Sequence, residues 1–242
     1  MLLTGGAMPL TEIASACGTP KSTVHRLLQD LASQRLVTDA EGRYALGPGC
    51  FRLLEALNAS TISFGFETRA AMQKLRDLTG ETAVIHVRMG HTRVVVEEAA
   101  SHEAVKYVAG VGAMSPVHVG AAGRVLLAFL PDGEREEVVR SLPLHEEVHG
   151  RHIDAEELLA QLKEVKELGY AESFGERIAG GAAISVPLMA GDGRVAASVS
   201  VLGPHVRLPQ ERLLALEPIV REAAEQLRAA LWPQAGDMSE KG

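Results

Sequence analysis

One stretch of the chain matches the residue pattern of a zinc hydrolase. Residues His145–His149 fit H-E-x-x-H, in which two histidines one helical turn apart bind zinc and the glutamate activates a water molecule. The pattern requires a continuous helix, but Pro143 precedes it closely and Gly150 follows it at once. The stretch therefore favours a charged, solvated loop, and zinc hydrolysis is the last of three hypotheses about function.

Other catalytic and nucleotide-binding motifs are missing from the sequence. The stretch Gly110-Val111-Gly112 lacks the third glycine of a dinucleotide-binding loop, no P-loop lysine follows a glycine-rich loop, and no G-x-S-x-G elbow occurs. Cys17 and Cys50 are the only cysteines and lack a paired spacing, so neither a disulfide nor a zinc knuckle is indicated. We therefore predict that the protein is not an enzyme and has neither a metal nor a cofactor.

A different chemistry is indicated near the N-terminus, where one helix has two unlike faces. The spacing predicts a helix over residues 19–31, with Thr19 capping it and Pro20 at its first helical position. Four apolar residues share one stripe: Val24, Leu27, Leu28 and Leu31. The opposite arc carries polar residues and two cations: Lys21, Ser22, His25, Arg26 and Gln29. One face can pack against the protein while the other contacts DNA bases and phosphates.

The elements around this helix predict a winged helix-turn-helix. Residues Leu10–Cys17 form a short helix that stops at Gly18. A strand is expected to begin at Gln34–Thr38, and Arg43–Leu46 returns as a second strand after a turn that contains glycine. Arg43 therefore lies near the wing.

The composition fits a chain with two modest domains. Its 242 residues are 46% hydrophobic and 23% charged, with a formal net charge of −7. No apolar run approaches the roughly 20 residues of a membrane span, and the N-terminus lacks a secretory signal pattern, so we expect a cytoplasmic protein with no membrane partner. The negative charge argues against non-specific coating of nucleic acid, so DNA binding must depend on local geometry and dimerisation.

Three N-terminal stretches match a known pattern in order and spacing: Leu10–Ala14, Gly18–Leu28 and Gly42–Pro48. They resemble the DNA-binding domain of the IclR family of bacterial transcription regulators. The resemblance implies that polar residues of the second helix approach the major groove and its phosphates: Lys21, Ser22, Thr23, His25 and Arg26. It also implies that Arg43 contacts the DNA backbone from the wing. For each residue alone, the alternative is a solvated surface side chain.

The N-terminal segment also departs from that family. Members carry a full first helix before the helix-turn-helix pair, whereas only Met1–Leu3 precedes Thr4-Gly5-Gly6 here. We expect that the native chain begins upstream of Met1. We also expect Ile13, Leu27 and Leu31 to lack part of their apolar cover, at about 25 cal/mol per Å² of surface left in water.

The longer C-terminal segment predicts an α+β domain. Helices are expected at four places: Phe66–Leu78, Gly120–Ala128, Asp154–Leu168 and Leu213–Leu231. Strands are expected at five: Thr82–Arg88, Thr92–Glu98, Val105–Val108, and the hairpin of Ala182–Met189 with Arg194–Leu202. Antiparallel strands with helices packed at the side indicate a GAF or profilin-like effector-binding fold. The predicted domains are 1–48 (winged helix-turn-helix), 49–60 (linker helix), 61–232 (effector binding and oligomerisation) and 233–242 (polar tail).

The resemblance to the IclR family continues through Pro116–Ala128, Gly169–Arg177 and Ser185–Pro187. It implies an effector pocket with seven residues: Tyr107, Ala121, Ala122, Ser173, Ala183, Ser200 and Leu202. Members that sense small carboxylates tend to hold polar groups where Ala183 and Leu202 stand. We therefore expect a less polar or larger effector, with Ser173 and Ser200 supplying hydrogen bonds. The alternative is that these small residues only permit tight packing.

Together these patterns predict a sequence-specific DNA-binding transcriptional regulator whose DNA affinity is controlled by a small-molecule effector. Its expected partners are double-stranded operator DNA, a metabolite as effector, and further copies of the chain in a homodimer or homotetramer. The second hypothesis is a ligand-sensing module with a degenerate DNA-binding head.

Overall fold

The structure, a computed structural model, describes residues 7–40, 42–50, 66–144 and 154–232. Internal contacts divide the chain into two units, Met1–Ser63 and Phe64–Gly242. The predicted polar tail, most of the predicted linker helix and the H-E-x-x-H stretch lie outside the described residues. Among helices of the described ranges, none is long and apolar enough to cross a membrane.

The N-terminal unit is a helix-turn-helix combined with a small antiparallel sheet. Its elements are β1 (Met8–Pro9), α1 (Leu10–Cys17), α2 (Lys21–Ser33), β2 (Val37–Ala40) and β3 (Arg43–Leu46). The strands pair in the order β1-β3-β2. Side chains from both helices and the sheet form the core: Ile13, Ala14, Val24, Leu28, Val37 and Tyr44. The predicted winged helix-turn-helix is therefore confirmed.

The start of α2 differs from the prediction. The helix begins at Lys21 with Pro20 in the N-cap position, and no side chain caps it. The Thr19 hydroxyl instead donates to the Cys17 carbonyl, 3.1 Å away. Gly18 ends α1 in the left-handed conformation, with φ of 59°, as expected.

The strand predicted from Gln34 begins later, at Val37. Arg35 takes a left-handed φ of 58°, and the Leu36 N–H donates to the Leu31 carbonyl at 3.0 Å. This turn satisfies a carbonyl at the end of α2, as is typical of helix C-termini. The backbone here closes the helix and therefore cannot extend the strand.

Only half of the predicted apolar stripe of α2 is buried. Val24 and Leu28 lie in the core, whereas Leu27 is 51% exposed and Leu31 is 40% exposed. The expected loss of apolar cover is confirmed for these two leucines. It is wrong for Ile13, which is buried.

Two glycines bring the end of β3 against the turn that follows α2. The Gly47 N–H donates to the Leu36 carbonyl and the Gly49 N–H to the Arg35 carbonyl, both at 2.8 Å. A Cβ on Gly47 would lie 2.2 Å from the Arg35 oxygen, and one on Gly49 would lie 2.8 Å from it. Real Cβ atoms do not approach backbone this closely, so neither position accepts a side chain.

We expect Gly47→Ala to destabilise the N-terminal unit by about 1–3 kcal/mol, because the added methyl group forces the hairpin away from the end of α2. Hydrogen–deuterium exchange of the amides in residues 7–50 measures the effect. Gly133→Ala is the matched control, since a Cβ there meets nothing within 4 Å. Equal exchange in the two variants would refute the expectation.

The C-terminal unit contains a six-stranded antiparallel sheet and five helices within the described residues. The helices are α3 (Phe66–Thr79), α4 (Gly120–Ala128), α5 (Asp132–Ser141), α6 (Ala155–Leu168) and α7 (Gln210–Leu231). The strands are β4 (Thr82–Met89), β5 (Thr92–Ala99), β6 (Met114–Pro116), β7 (Ala171–Phe174), β8 (Gly181–Met189) and β9 (Val195–Pro204). Their order in the sheet is β6-β5-β4-β9-β8-β7. The predicted α+β class with an antiparallel sheet is confirmed.

Both faces of this sheet are covered. Ile184 and Ser185 are neighbours in β8 and therefore point to opposite faces, yet both are fully buried. Helix α4 packs on β7, β8 and β9 and against α6, while α3 and α7 pack against each other and against the sheet. The strands at the centre thus present one of their two faces to α4.

The strand predicted at Val105–Val108 is wrong, because this segment is a loop and the strand beside β5 is β6. Side chains hold the loop backbone in place of a neighbouring strand. Arg207 Nη1 donates to the Val105 carbonyl at 2.9 Å, and the Glu98 carboxylate accepts from the Ala109 and Gly110 N–H groups at 2.7 and 3.1 Å. Arg207 is itself held by Glu81 through two bonds of 2.6 and 2.7 Å.

Other elements of the C-terminal unit also differ from the predictions. Helix α5 and strand β7 were not predicted. In α3, Leu75 is buried as expected, but Ala70 and Leu78 are exposed. The buried positions of α3 follow a helical spacing in which two members are polar: Thr68, Met72, Leu75 and Thr79.

Candidate effector pocket and DNA-contacting helix

Helix α2 presents the predicted DNA-contacting residues on its open side. Lys21, Ser22, His25 and Arg26 are exposed and Thr23 is half-buried. Because Val24 and Leu28 pack inward, the helix orientation turns the polar arc away from the core. His25 Nε2 lies 3.4 Å from Gln29 Nε2, one helical turn away.

Arg43 has a contact within the N-terminal unit. It is exposed at the start of β3, directly after Gly42 at the tip of the hairpin, and pairs in register with Pro9 and Ala40. Its Nη2 donates to the Ala7 carbonyl at 2.5 Å. This bond uses one of the five N–H donors of the guanidinium, so the predicted contact of Arg43 with the DNA backbone would use the others.

The seven residues predicted for the effector all line one cavity of the C-terminal unit, with a volume of about 70 Å³. They come from five places in the fold. Tyr107 lies in the loop before β6, Ala121 and Ala122 lie in the first turn of α4, and Ser173 lies in β7. Ala183 in β8 faces Leu202 in β9, and Ser200 is two residues before Leu202. The topology thus brings together residues almost 100 positions apart.

The same cavity has charged and polar residues that the sequence predictions missed. They are His86 from β4, Arg93 from β5, Glu176 and Arg177 from the loop after β7, and Ser185 from β8. His86 follows Val84-Ile85 and precedes Val87, so a polar residue inside an apolar strand was a usable signal. No comparable signal distinguishes Glu176 and Arg177 from ordinary loop residues.

Glu176 occupies the N-terminus of α4. Its Oε2 accepts from the Gly120 N–H at 2.9 Å, and Arg124 makes two bonds of 2.7 Å to the carboxylate. Arg124 also donates to the Glu172 carbonyl in β7 at 2.5 Å. A carboxylate is favoured at a helix N-terminus by the unpaired N–H groups and the helix dipole. This cluster ties α4, β7 and the following loop together at one end of the cavity.

Arg93 supplies a buried cation beside the same helix. The residue is 4% exposed, and its Nη1 donates to the Val119 carbonyl at 2.7 Å. A Cβ on Gly120, which has φ of 79°, would lie 3.6 Å from Arg93 Nη2. A Cβ at this distance would only touch the guanidinium, so glycine is favoured here by its positive φ.

His86 is a buried imidazole in the cavity wall. The residue is 7% exposed, and its Nδ1 has no hydrogen-bond partner among the described residues. Burial lowers the pKa of His86 well below its usual value, and the nearby positive charges of Arg93 and Arg177 lower it further. The ring is therefore neutral at neutral pH.

Two serines form a polar floor next to His86. Ser185 Oγ and Ser200 Oγ are 2.8 Å apart across the β8–β9 pair and are both buried. The expectation of a less polar or larger effector rested on Ala183 and Leu202, which do line the cavity. The same wall also holds two arginines, a histidine and paired serines, so it is more polar than those two residues alone indicate.

Family models match both units of the chain. The model described as bacterial transcriptional regulator IclR C-terminal matches residues 61–229, and the IclR helix-turn-helix domain matches residues 3–40. The chain belongs to the IclR family. It is a transcription regulator with a helix-turn-helix DNA-binding domain and a ligand-binding C-terminal domain.

Individual relatives are similar along nearly the whole chain. A probable transcriptional regulator, SauR of Cupriavidus necator, is 31% identical over 225 residues, which are 92% of this chain and 88% of that protein. The transcriptional regulator KipR of Bacillus subtilis is 30% identical over 222 residues, with shares of 91% and 88%. An IclR homolog from Microbacterium hydrocarbonoxydans, solved in complex with 4-hydroxybenzoate, is 26% identical, with shares of 93% and 91% and a TM-score of 0.70.

Metal chemistry has no support in the described part of this IclR-family chain. No group of three histidine, cysteine or acidic residues there could hold a metal ion. Cys17 is an exposed free thiol and Cys50 is a half-buried one.

The depressed pKa of His86 predicts that the C-terminal unit loses stability in mild acid. Unfolded His86 takes up a proton near pH 6.5, whereas the folded ring stays neutral to much lower pH, so the unfolded state binds more protons as the pH falls. We expect His86→Gln to flatten the decline in the free energy of unfolding between pH 6.5 and 5, by up to about 1.4 kcal/mol per pH unit.

Fluorescence of Trp232, the single tryptophan, during urea unfolding at each pH measures this stability. Ser198→Ala is the control, because Ser198 lies opposite His86 in the sheet and does not titrate in this range. If His86→Gln declines as steeply as the wild type and the control, His86 does not set the pH dependence.

Proposed function

We propose that the exposed face of α2 binds operator DNA and that a small anion in the C-terminal cavity controls this binding. The observation that carries the proposal is the cavity wall, in which Arg93 and Arg177 stand beside the neutral His86. The protein acts in this proposal as a cytoplasmic homodimer or homotetramer and catalyses no reaction.

The DNA-binding part is supported by the orientation of α2. Lys21 and Arg26 are exposed on the side opposite the buried Val24 and Leu28. A second helix of a helix-turn-helix places such residues in the major groove. Since the net charge of the chain is −7, a single unit has little general attraction for DNA, and pairing of two units supplies the rest of the affinity.

We expect Arg26→Ala to weaken binding to operator DNA by about 1–3 kcal/mol and to reduce the salt dependence of binding, because one cation at the DNA surface is lost. The measurement is fluorescence anisotropy at several salt concentrations, with a duplex that the full chain selects from a random-sequence pool. Arg194→Ala removes an exposed arginine from the C-terminal unit and serves as the control.

Unchanged affinity and salt dependence in Arg26→Ala would show that Arg26 does not contact the DNA. If the full chain selects no duplex, the second hypothesis, a ligand-sensing module with a degenerate DNA-binding head, is favoured instead. The exposure of Leu27 and Leu31 on α2 favours this second hypothesis.

The effector part is supported by the charges around the cavity. Glu176 is paired with Arg124, so its carboxylate is compensated, while Arg93 and Arg177 add positive charge to the wall. A volume of about 70 Å³ suits a small molecule. The IclR homolog solved with 4-hydroxybenzoate is an example of a related protein that holds a small carboxylate. We therefore assign the cavity to a small carboxylate.

We expect small carboxylates to raise the melting temperature of the protein, and their amides to leave it unchanged, because the arginines recognise negative charge. Propionate against propionamide and lactate against lactamide are suitable pairs in a thermal-shift assay. Arg177→Gln is expected to lose the shift, while Arg194→Gln retains it. Equal shifts from acid and amide would show that charge does not select the ligand.

A further inference from the structure

We propose that the Tyr107 side chain is a gate at the mouth of the C-terminal cavity, and that its opening sets how fast a small molecule enters and leaves. The inference rests on the proposed function in that the cavity binds the effector, but it does not depend on the chemistry of that effector. It gives Tyr107 a role in the rate of exchange, in addition to the contact with the effector that the family resemblance implies.

Two loops that line the cavity meet at Tyr107. The first loop, residues 100–113, joins β5 to β6 and carries Tyr107. The second loop, residues 175–180, joins β7 to β8 and supplies four consecutive residues to the cavity wall. The Tyr107 hydroxyl donates to the Ala179 carbonyl at 3.2 Å, so one side chain of the first loop binds the second. Because Tyr107 lines the cavity and is only half-buried, its ring lies where the cavity meets solvent.

Two glycines leave space for the Tyr107 ring at the end of the second loop. Gly180 has φ of 74°, and a Cβ there would lie 3.4 Å from the Tyr107 Oη. A Cβ on Gly181 would lie 3.5 Å from Cε2 of the same ring. The ring therefore lies against the backbone of these two glycines and reaches across from one loop to the other.

The backbone of the first loop is held on both sides of Tyr107. Two residues before it, the Val105 carbonyl accepts from Arg207 at 2.9 Å. Two residues after it, the Ala109 N–H donates to the Glu98 carboxylate at 2.7 Å. Both partners are charged, which makes these bonds stronger than neutral ones. Since so few residues lie between the two fixed points, the part that moves is the Tyr107 side chain and not the whole loop.

The second loop is also held by bonds that do not involve Tyr107. The Glu176 carboxylate binds the start of α4. The His205 N–H donates to the Gly180 carbonyl at 2.8 Å. Ala179 directly precedes Gly180, so its carbonyl is a fixed acceptor for the Tyr107 hydroxyl.

The gate opens at low cost because it is closed by a single neutral hydrogen bond. The bond between Tyr107 and Ala179 is exposed to water, which can replace it on both groups when the side chain rotates away. The charged anchors of the first loop stay intact during this rotation. Removal of the hydroxyl is expected to raise the open fraction about 2- to 10-fold.

The reactivity of a cysteine placed inside the cavity tests the gate without any effector. Ser200 lines the cavity and is 1% exposed, so Ser200→Cys introduces a shielded thiol. Cys17→Ser and Cys50→Ser remove the two native thiols from the full chain. Methyl methanethiosulfonate, a small uncharged reagent, modifies the remaining thiol, and mass spectrometry follows the rate.

Tyr107→Phe keeps the ring but loses the hydrogen bond, and it is expected to speed modification at position 200 about 2- to 10-fold. Tyr107→Ala removes the ring as well and is expected to speed it further. Tyr170→Phe is the matched control, because it removes the hydroxyl of a tyrosine that lines a different groove. Gly133→Cys, in place of Ser200→Cys, puts the thiol on an exposed position of α5, where none of these changes is expected to alter the rate.

Equal rates at position 200 with Tyr107, Tyr107→Phe and Tyr107→Ala would overturn the inference. An equal acceleration in Tyr170→Phe, or at Gly133→Cys, would overturn it too, because the effect would then be a general loosening of the fold. If Ser200→Cys does not fold, Ala121→Cys provides a second thiol on the cavity wall, at a position that is 2% exposed. Failure of the proposed function is seen separately, as the absence of binding of the acids named above, because these rates are measured without an effector.

Discussion

The carboxylate of Glu176 at the start of α4 is the interaction on which the C-terminal cavity depends. It accepts hydrogen bonds from the Gly120 N–H and from the Arg124 guanidinium. Arg124 also donates to the backbone of β7. Charge-assisted bonds of this kind are about twice as strong as neutral ones, and Arg124 and Glu176 are both largely shielded from solvent. Because Glu176 accepts the Gly120 N–H, the proposed anionic ligand is expected to bind towards Arg93 and Arg177.

The cavity is lined by polar and charged side chains of kinds that are rarely buried in a folded protein. His86 and the paired serines lie in strands whose other residues are mainly apolar and buried, and Arg93 is buried in β5, where every second residue is buried. Each buried polar group has a desolvation cost, which hydrogen bonds offset only in part. Four of the twelve buried polar or charged residues in the described part of the chain line this cavity: His86, Arg93, Ser185 and Ser200. Natural proteins accept this kind of local cost mainly at functional sites.

Much of this architecture follows from local patterns, and the errors have physical causes. The helical periodicity of α2 and α6 and the alternation in β8 and β9 predicted those elements because their burial is one-sided or strongly apolar. Val105–Val108 has the composition of a strand, but the Val105 carbonyl bonds to Arg207, and the Glu98 carboxylate holds the next two residues, Ala109 and Gly110. Arg207 is distant in sequence, so no local pattern predicts this loop. The seven cavity residues came from the family resemblance. Arg93 and Glu176 enter the cavity only through sheet order and a loop contact, which no local pattern encodes.

The contact of Gly47 and Gly49 with the turn after α2 has a mechanical consequence for the N-terminal unit. Two hydrogen bonds and direct backbone contact join the end of the hairpin to the end of the exposed helix. The hairpin and the end of α2 are therefore directly coupled, because no side chain separates their backbones. A displacement of residues 47–49 is expected to change the orientation of α2.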